Sequence, residues 1–196
     1  MPQHDESTTD QDLLAAVREE VLAYGVRRAT ATSIAARAGV SRMTVYRRGG
    51  GVKQLVLDAL SREFETQIAD VVSGARGETV RDRLTDAVVG GVRALASSPL
   101  VTALLRHDPE LLVPYLVDRL GHSQAAFVRV VTPLLEAGIG EGSVRDADAE
   151  ALAMVLLHAV QGFVVSSGII RLDLSQDEID DELRHLVDGY LRPARS

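Results

Sequence analysis

Between Ser41 and Arg48 the chain reads Ser-Arg-Met-Thr-Val-Tyr-Arg-Arg, which places cations, hydroxyls and an aromatic phenol within two helical turns. Arginine can donate two hydrogen bonds to the edge of guanine, and threonine can touch a thymine methyl or a phosphate oxygen. On a helix, Val45 turns inward. Arg42, Thr44, Arg47 and Arg48 then face outward or flank that side, with Met43 and Tyr46 beside them. The chemistry these residue types suit is docking against the major groove of duplex DNA.

The elements that must hold this octet are legible upstream. Thr32 is a candidate N-cap whose hydroxyl can accept an orphan backbone N–H. Ile34, Ala35 and Ala38 follow on one face by the i, i+3, i+4 rule. Gly39 stands where the chain must leave that helix, and glycine reaches the left-handed conformation without steric cost. Val40 can fill the space between the helices, and Ser41 can cap the second one. The spacing predicts a helix-turn-helix whose second helix is basic and hydroxyl-rich outside.

Ile34-Ala35, Ala38-Gly39-Val40-Ser41 and Thr44-Val45-Tyr46 together resemble the DNA-binding signature of the TetR family of bacterial transcriptional regulators. The motif resemblance covers about the first third of the chain and is architectural beyond it. It implies an all-helical homodimer that binds double-stranded operator DNA, most often as a repressor released by a small-molecule effector. It also implies that Thr32 and Tyr46 position phosphates. The family usually has an aromatic residue three places after the Tyr and a Lys three places further, where this chain has Gly49 and Val52; Lys53 stands one place away. The DNA-binding set implied is Thr32, Ser41, Arg42, Met43, Thr44, Tyr46, Arg47, Arg48 and Lys53.

The net charge of −7 over 196 residues argues by itself against nucleic acid, but its distribution reverses that. From Tyr24 to Leu57 there are seven basic residues (Arg27, Arg28, Arg37, Arg42, Arg47, Arg48, Lys53) and no acidic one. From Ser61 onward there are 13 basic and 21 acidic residues. Phosphate neutralisation depends on the local basic patch rather than on the sum over the chain. With no cysteine, disulfides and thiolate zinc sites are excluded. Residues 1–10 are polar and acidic without an apolar core, so they do not read as a secretory signal, and a cytoplasmic protein is expected.

Taken in order, residues 1–9 read as a disordered tail, 10–50 as the three-helix DNA-binding domain, 51–192 as a helical ligand-binding and dimerisation domain, and 193–196 as a second tail. The first helix is expected from about Asp10 to Tyr24, ended by Gly25. Ser98-Pro99 and Asp108-Pro109 each set a cap residue before a proline at a helix start. A long apolar helix is expected over about 147–170, and Ser175 with Glu178 forms a capping box for the last one. No strand alternation of useful length occurs.

Residues 151–170 carry no charge, long enough arithmetically for a bilayer, yet His158, Gln161, Ser166 and Ser167 and the lack of flanking basic clusters favour a buried helix and no membrane partner. Two stripes, Leu152-Leu156-Ala159-Phe163 and Ile179-Leu183-Leu186-Tyr190, would form a four-helix interface with a second copy. This is also where the resemblance places the dimer contact. An effector cavity is implied within the helical body, with Arg106, His107, His158 and Gln161 as its polar pointers. No cofactor or metal is expected: the histidines lack zinc spacing, and Glu182 with His185 is a lone Glu-x-x-His where a di-iron bundle needs two pairs. Gly49 to Lys53 lacks the phosphate-loop spacing, so no enzyme is expected. The alternative left open by the residues is a helical interaction module whose basic turn binds an acidic protein without binding DNA.

Overall fold

Capping chemistry sets where the helices begin and stop. The computed structural model describes residues 3–47, 51–114 and 120–194, with side chains from Asp10 onward. Among the described residues every regular element is helical. In chain order these are α1 (Gln3–Tyr24), α2 (Ala31–Ala38), α3 (Arg42–Arg47), α4 (Gly51–Gly74), α5 (Val80–Ser97), α6 (Pro99–His107), a 3-10 turn (Pro109–Leu111), α7 (His122–Gly140), α8 (Ala149–Val165), α9 (Ser167–Ile170) and α10 (Gln176–Leu191).

The helices form two compact units. The first comprises residues 1–63 and 98–119, so it holds α1 to α3, the first half of α4, and α6 with its 3-10 turn. Its core is built by Leu13, Val17 and Val21 of α1, Ile34 and Ala35 of α2, Val45 of α3, Leu55 and Val56 of α4, and Leu100 and Leu104 of α6. The second comprises residues 64–97 and 120–196, centred on Leu84 and Val88 of α5, Leu135 of α7, Leu152 and Leu156 of α8, and Leu183 and Val187 of α10. Within it, Arg81, Arg93 and Arg184 pair with Asp188, Asp180 and Asp86, linking α5 to α10.

Several expected boundaries move. The two compact units divide within α4, and the first includes residues 98–119, because Leu100 and Leu104 complete its core. Helix α1 starts at Gln3, not near Asp10. No glycine or proline stands between Gln3 and Tyr24, so nothing in the backbone halts the helix at residue 10. The apolar stretch expected as one helix over 147–170 is instead α8 and α9, parted at Ser166. The last helix opens as expected: Ser175 Oγ accepts the Glu178 N–H and the Glu178 carboxylate accepts the Ser175 N–H at 2.8 Å.

Candidate nucleic-acid interface

The cap on α2 is Thr30, two residues earlier than expected. Its hydroxyl accepts the Ser33 N–H at 3.0 Å, and Ser33 Oγ accepts the Thr30 N–H at 3.1 Å. The short Ser33 side chain can replace the usual glutamate of a capping box, and Thr32 is thereby left exposed in the first turn. At the other end Gly39 is left-handed (φ 66°, ψ 25°), and the Val40 N–H bonds back to the Ala35 carbonyl at 3.0 Å. A side chain with a Cβ would be strained at that φ, which explains the glycine.

Ser41 caps α3 as expected, its Oγ accepting the Thr44 N–H at 3.1 Å and lying 2.9 Å from Thr44 Oγ1. Val45 is buried at 1% exposure, which fixes the helix's rotation. Because successive residues turn about 100°, burying Val45 places the flanking side chains outside. Arg42, Met43, Tyr46 and Arg47 are exposed, Met43 at 73%, and Thr44 is half-exposed. The Arg42 guanidinium lies over the Tyr46 ring, 5.9 Å from its centroid, so each side chain restrains the other. Lys53 is exposed in the first turn of α4, and Arg48 lies outside the described residues.

The seven basic residues do not share one role. Arg37 turns inward to α1, donating to Glu20 at 3.1 Å from Nε and to Glu19 at 3.2 Å from Nη1. The Glu20 hydrogen bond holds the Arg37 pKa above its ordinary value. Arg27 reaches Asp108 at 3.7 Å and Glu110 at 3.5 Å. Among the described residues Arg28, Arg42, Arg47 and Lys53 form no ion pair, so their charges remain available to phosphate. The basic count in the sequence therefore contains two structural arginines that its residue types alone did not reveal.

The other expected sites fare differently. Leu152, Leu156, Ile179 and Leu183, expected at the dimer contact, are 0–6% exposed within the single chain. Both faces of α8 are apolar, and helical period alone does not say which faces inward. Phe163 and Tyr190 are half-buried against the same core, with the Arg145 guanidinium 4.9 Å from the Tyr190 ring centroid. Ala159 and Leu186 do face out. They are joined by residues the sequence did not single out: Val155 at 53% exposure on α8 and Ile169 at 70% on α9. The four pocket pointers are divided between the units: Arg106 and His107 are exposed on α6, while His158 and Gln161 lie on α8. His158 is exposed and bonded to the Met154 carbonyl at 2.7 Å. Gln161 accepts from Gln124 at 2.6 Å, and Gln124 is buried; its only sequence signal was its place three residues after the helix-capping Gly121.

A capped helix pair that buries its apolar sides and turns arginine, threonine and tyrosine outward defines a helix-turn-helix DNA-binding protein. Comparison with known proteins agrees. The chain is 33% identical over 190 residues to an uncharacterised HTH-type transcriptional regulator of Mycobacterium tuberculosis H37Rv, an alignment covering 96% of this chain and 97% of that one. Among solved structures it is similar to the TetR-family repressor QsdR of R. erythropolis (TM-score 0.68, 18% identity, covering 96% of this chain and 98% of that one). It is also similar to the TetR-family repressor AlkX of Dietzia sp. (TM-score 0.66, 21% identity, covering 92% and 94%). No protein-family model matches the chain. The chain belongs to the HTH-type transcriptional regulators, its function is DNA-binding transcriptional regulation, and its fold is that of the TetR-family repressors QsdR and AlkX.

Proposed function

We propose that this regulator is a homodimeric repressor that leaves its operator when a small molecule binds its second unit. The observation that carries the DNA-reading part is the outward face of α3, where Val45 is buried while Arg42, Tyr46 and Arg47 are exposed. Thr32, Ser41, Thr44 and Lys53 would contact phosphates and set register, and Arg42 and Arg47 would reach base edges. Two copies would place their α3 helices in successive major grooves about 34–36 Å apart, on a roughly palindromic site.

The dimer contact would use the outward stripe of α8, with Val155 and Ala159, together with Leu186 of α10. Such residues are exposed in one chain and can be buried by a second. The effector would bind in the second unit, where the hydrogen bond between buried Gln124 and half-buried Gln161 supplies a polar anchor. The effector would favour a dimer whose two heads no longer match the groove spacing, so its differential affinity for the two states releases DNA. Neither a cofactor nor a catalytic step enters this reading, and the site of action is the cytoplasm. No single helix among the described residues is long and apolar enough to cross a membrane.

The test is to sequence genomic fragments retained by the purified full-length protein, with and without extracted metabolites. The expected result is one enriched palindromic motif that is lost with a subset of metabolites. Retention of fragments without any shared motif would contradict the proposal.

A further inference from the structure

Asp108 precedes Pro109 in a pattern that should cap the following turn, yet its side chain makes no capping bond there. The carboxylate is instead buried, with the residue 3% exposed, and Oδ2 accepts the Val26 N–H at 3.3 Å from 82 residues away in sequence. Val26 needs that acceptor. Gly25 leaves α1 in the left-handed conformation (φ 77°), and its own N–H takes the Val21 carbonyl at 2.8 Å, so the next amide has no partner within the helix. The glycine also abuts the carboxylate, since a Cβ built on it would lie 3.9 Å from Oδ2. Arg27 sets its guanidinium 3.7 Å from Oδ1 and continues to Glu110. Lys53 lines the same cleft as Val26, Arg27 and Asp108.

A buried carboxylate is an expensive way to fill a corner, and an apolar residue of similar volume would usually serve stability as well. What the carboxylate supplies is a directional tie between two particular segments. One is the turn of residues 25–29, which delivers the chain to the Thr30 cap of α2. The other is the segment 98–119, which packs in the first unit but is entered from, and left toward, the second unit along the chain.

We propose that Asp108 is a latch, a positioning residue through which the 98–119 segment holds the helix-turn-helix in its DNA-reading arrangement, so that a change in that segment is passed to α2 and α3 through the Val26 turn. This rests on the DNA-regulator reading above. A two-state element of this kind couples sites by its differential stability in the two states, and such coupling is reciprocal.

The experiment uses the full-length protein as wild type, Asp108→Ala and Asp108→Asn; the asparagine keeps an acceptor for the Val26 N–H. Amide exchange at Val26 is followed by NMR in free protein, and again with a duplex selected by the wild type from randomised DNA. Expected is faster Val26 exchange in Asp108→Ala while amides of α5 and α10 exchange at wild-type rates. Operator affinity should fall by about fivefold or more, Asp108→Asn should recover much of both effects, and Val26 should be further protected in wild type when DNA binds. Wild-type affinity in Asp108→Ala, or Val26 exchange indifferent to both the substitution and DNA, would overturn the latch. A general speeding of exchange in both variants would also overturn it, because the residue would then serve overall stability alone. Failure of the wild type to select any duplex would count against the DNA reading instead, and the free-protein exchange would still judge the contact.

Discussion

Arg37 of α2 and Glu20 of α1 form a two-pronged pair, with Nε 3.1 Å and Nη2 3.0 Å from the same carboxylate oxygen. Glu20 is 4% exposed, so this arginine neutralises a charge inside the head rather than presenting one to a ligand. The pair separates an arginine that holds the helix-turn-helix together from Arg42 and Arg47, which are exposed on α3.

Substituting the two kinds of arginine should therefore have opposite signatures. Arg37→Ala strands a buried carboxylate, which is among the costlier single changes. Expected is a clear drop in Tm by circular dichroism, with the head melting first. Arg42→Ala and Arg47→Ala should leave Tm within the range of ordinary surface changes and weaken operator binding. A gel shift at fixed salt checks the second half.

The threonines of the first turn of α2 make a matching contrast. Thr30→Ala removes the capping box and should cost about 1 kcal/mol in denaturant unfolding. Thr32→Ala loses no bond within the chain and should cost stability little, while lowering operator affinity through a lost phosphate contact. Gly39→Ala should destabilise by about 1 kcal/mol or more, because the backbone there stays left-handed at φ 66°.

Acid should loosen the second unit. Asp82 is held below the ordinary carboxylate range by its hydrogen bonds with Thr79, and Glu141 by the Ser143 hydroxyl and then the Val80 N–H. Glu178 is lowered by the Ser175 hydroxyl and then its N–H. Each group binds a proton less readily folded than unfolded. The stability it contributes is full above the unfolded carboxylate range of about 4 and is lost as pH falls through the depressed folded values. Urea midpoints should thus be flat from about pH 6 to 8 on this account and decline below about pH 5. Glu141→Gln together with Asp82→Asn should flatten that decline.

The proposed dimer face is testable by charge. Val155→Arg should yield a monomer by light scattering with its helical content retained, since Val155 is exposed in the single chain. Leu183→Ala should instead destabilise the chain by about 2–5 kcal/mol, because Leu183 is fully buried in its own core. Equal loss of dimer and fold in both variants would contradict the assignment.

The helix-turn-helix was legible because its signals are local. Gly39, Ser41 and Val45 lie within seven residues and each acts on its own neighbours, so type and spacing sufficed. Thr32 fits the cap pattern as well as Thr30 does, and only the reciprocal bond with Ser33 decides for Thr30. The inward turn of Arg37 and the use of Asp108 by Val26 depend on partners 17 and 82 residues away, which no local pattern carries. The same holds for α8, where an apolar residue on either face satisfies the same period. Tertiary packing alone chose Leu152 and Leu156 for the core and left Val155 and Ala159 outside.

The DNA-reading proposal stands on the exposed, unpaired cations of α3, Arg42 and Arg47. The most direct measurement is operator affinity by fluorescence anisotropy across a series of salt concentrations, for the wild type and for the double variant Arg42→Ala, Arg47→Ala. Each cation that neutralises a phosphate contributes roughly one to the log–log slope. With both arginines at base edges, the expected result is weaker binding and a smaller preference for the operator over a scrambled duplex, with the slope falling by less than the roughly two that a pair of phosphate contacts would give. An unchanged affinity with an unchanged slope would contradict it.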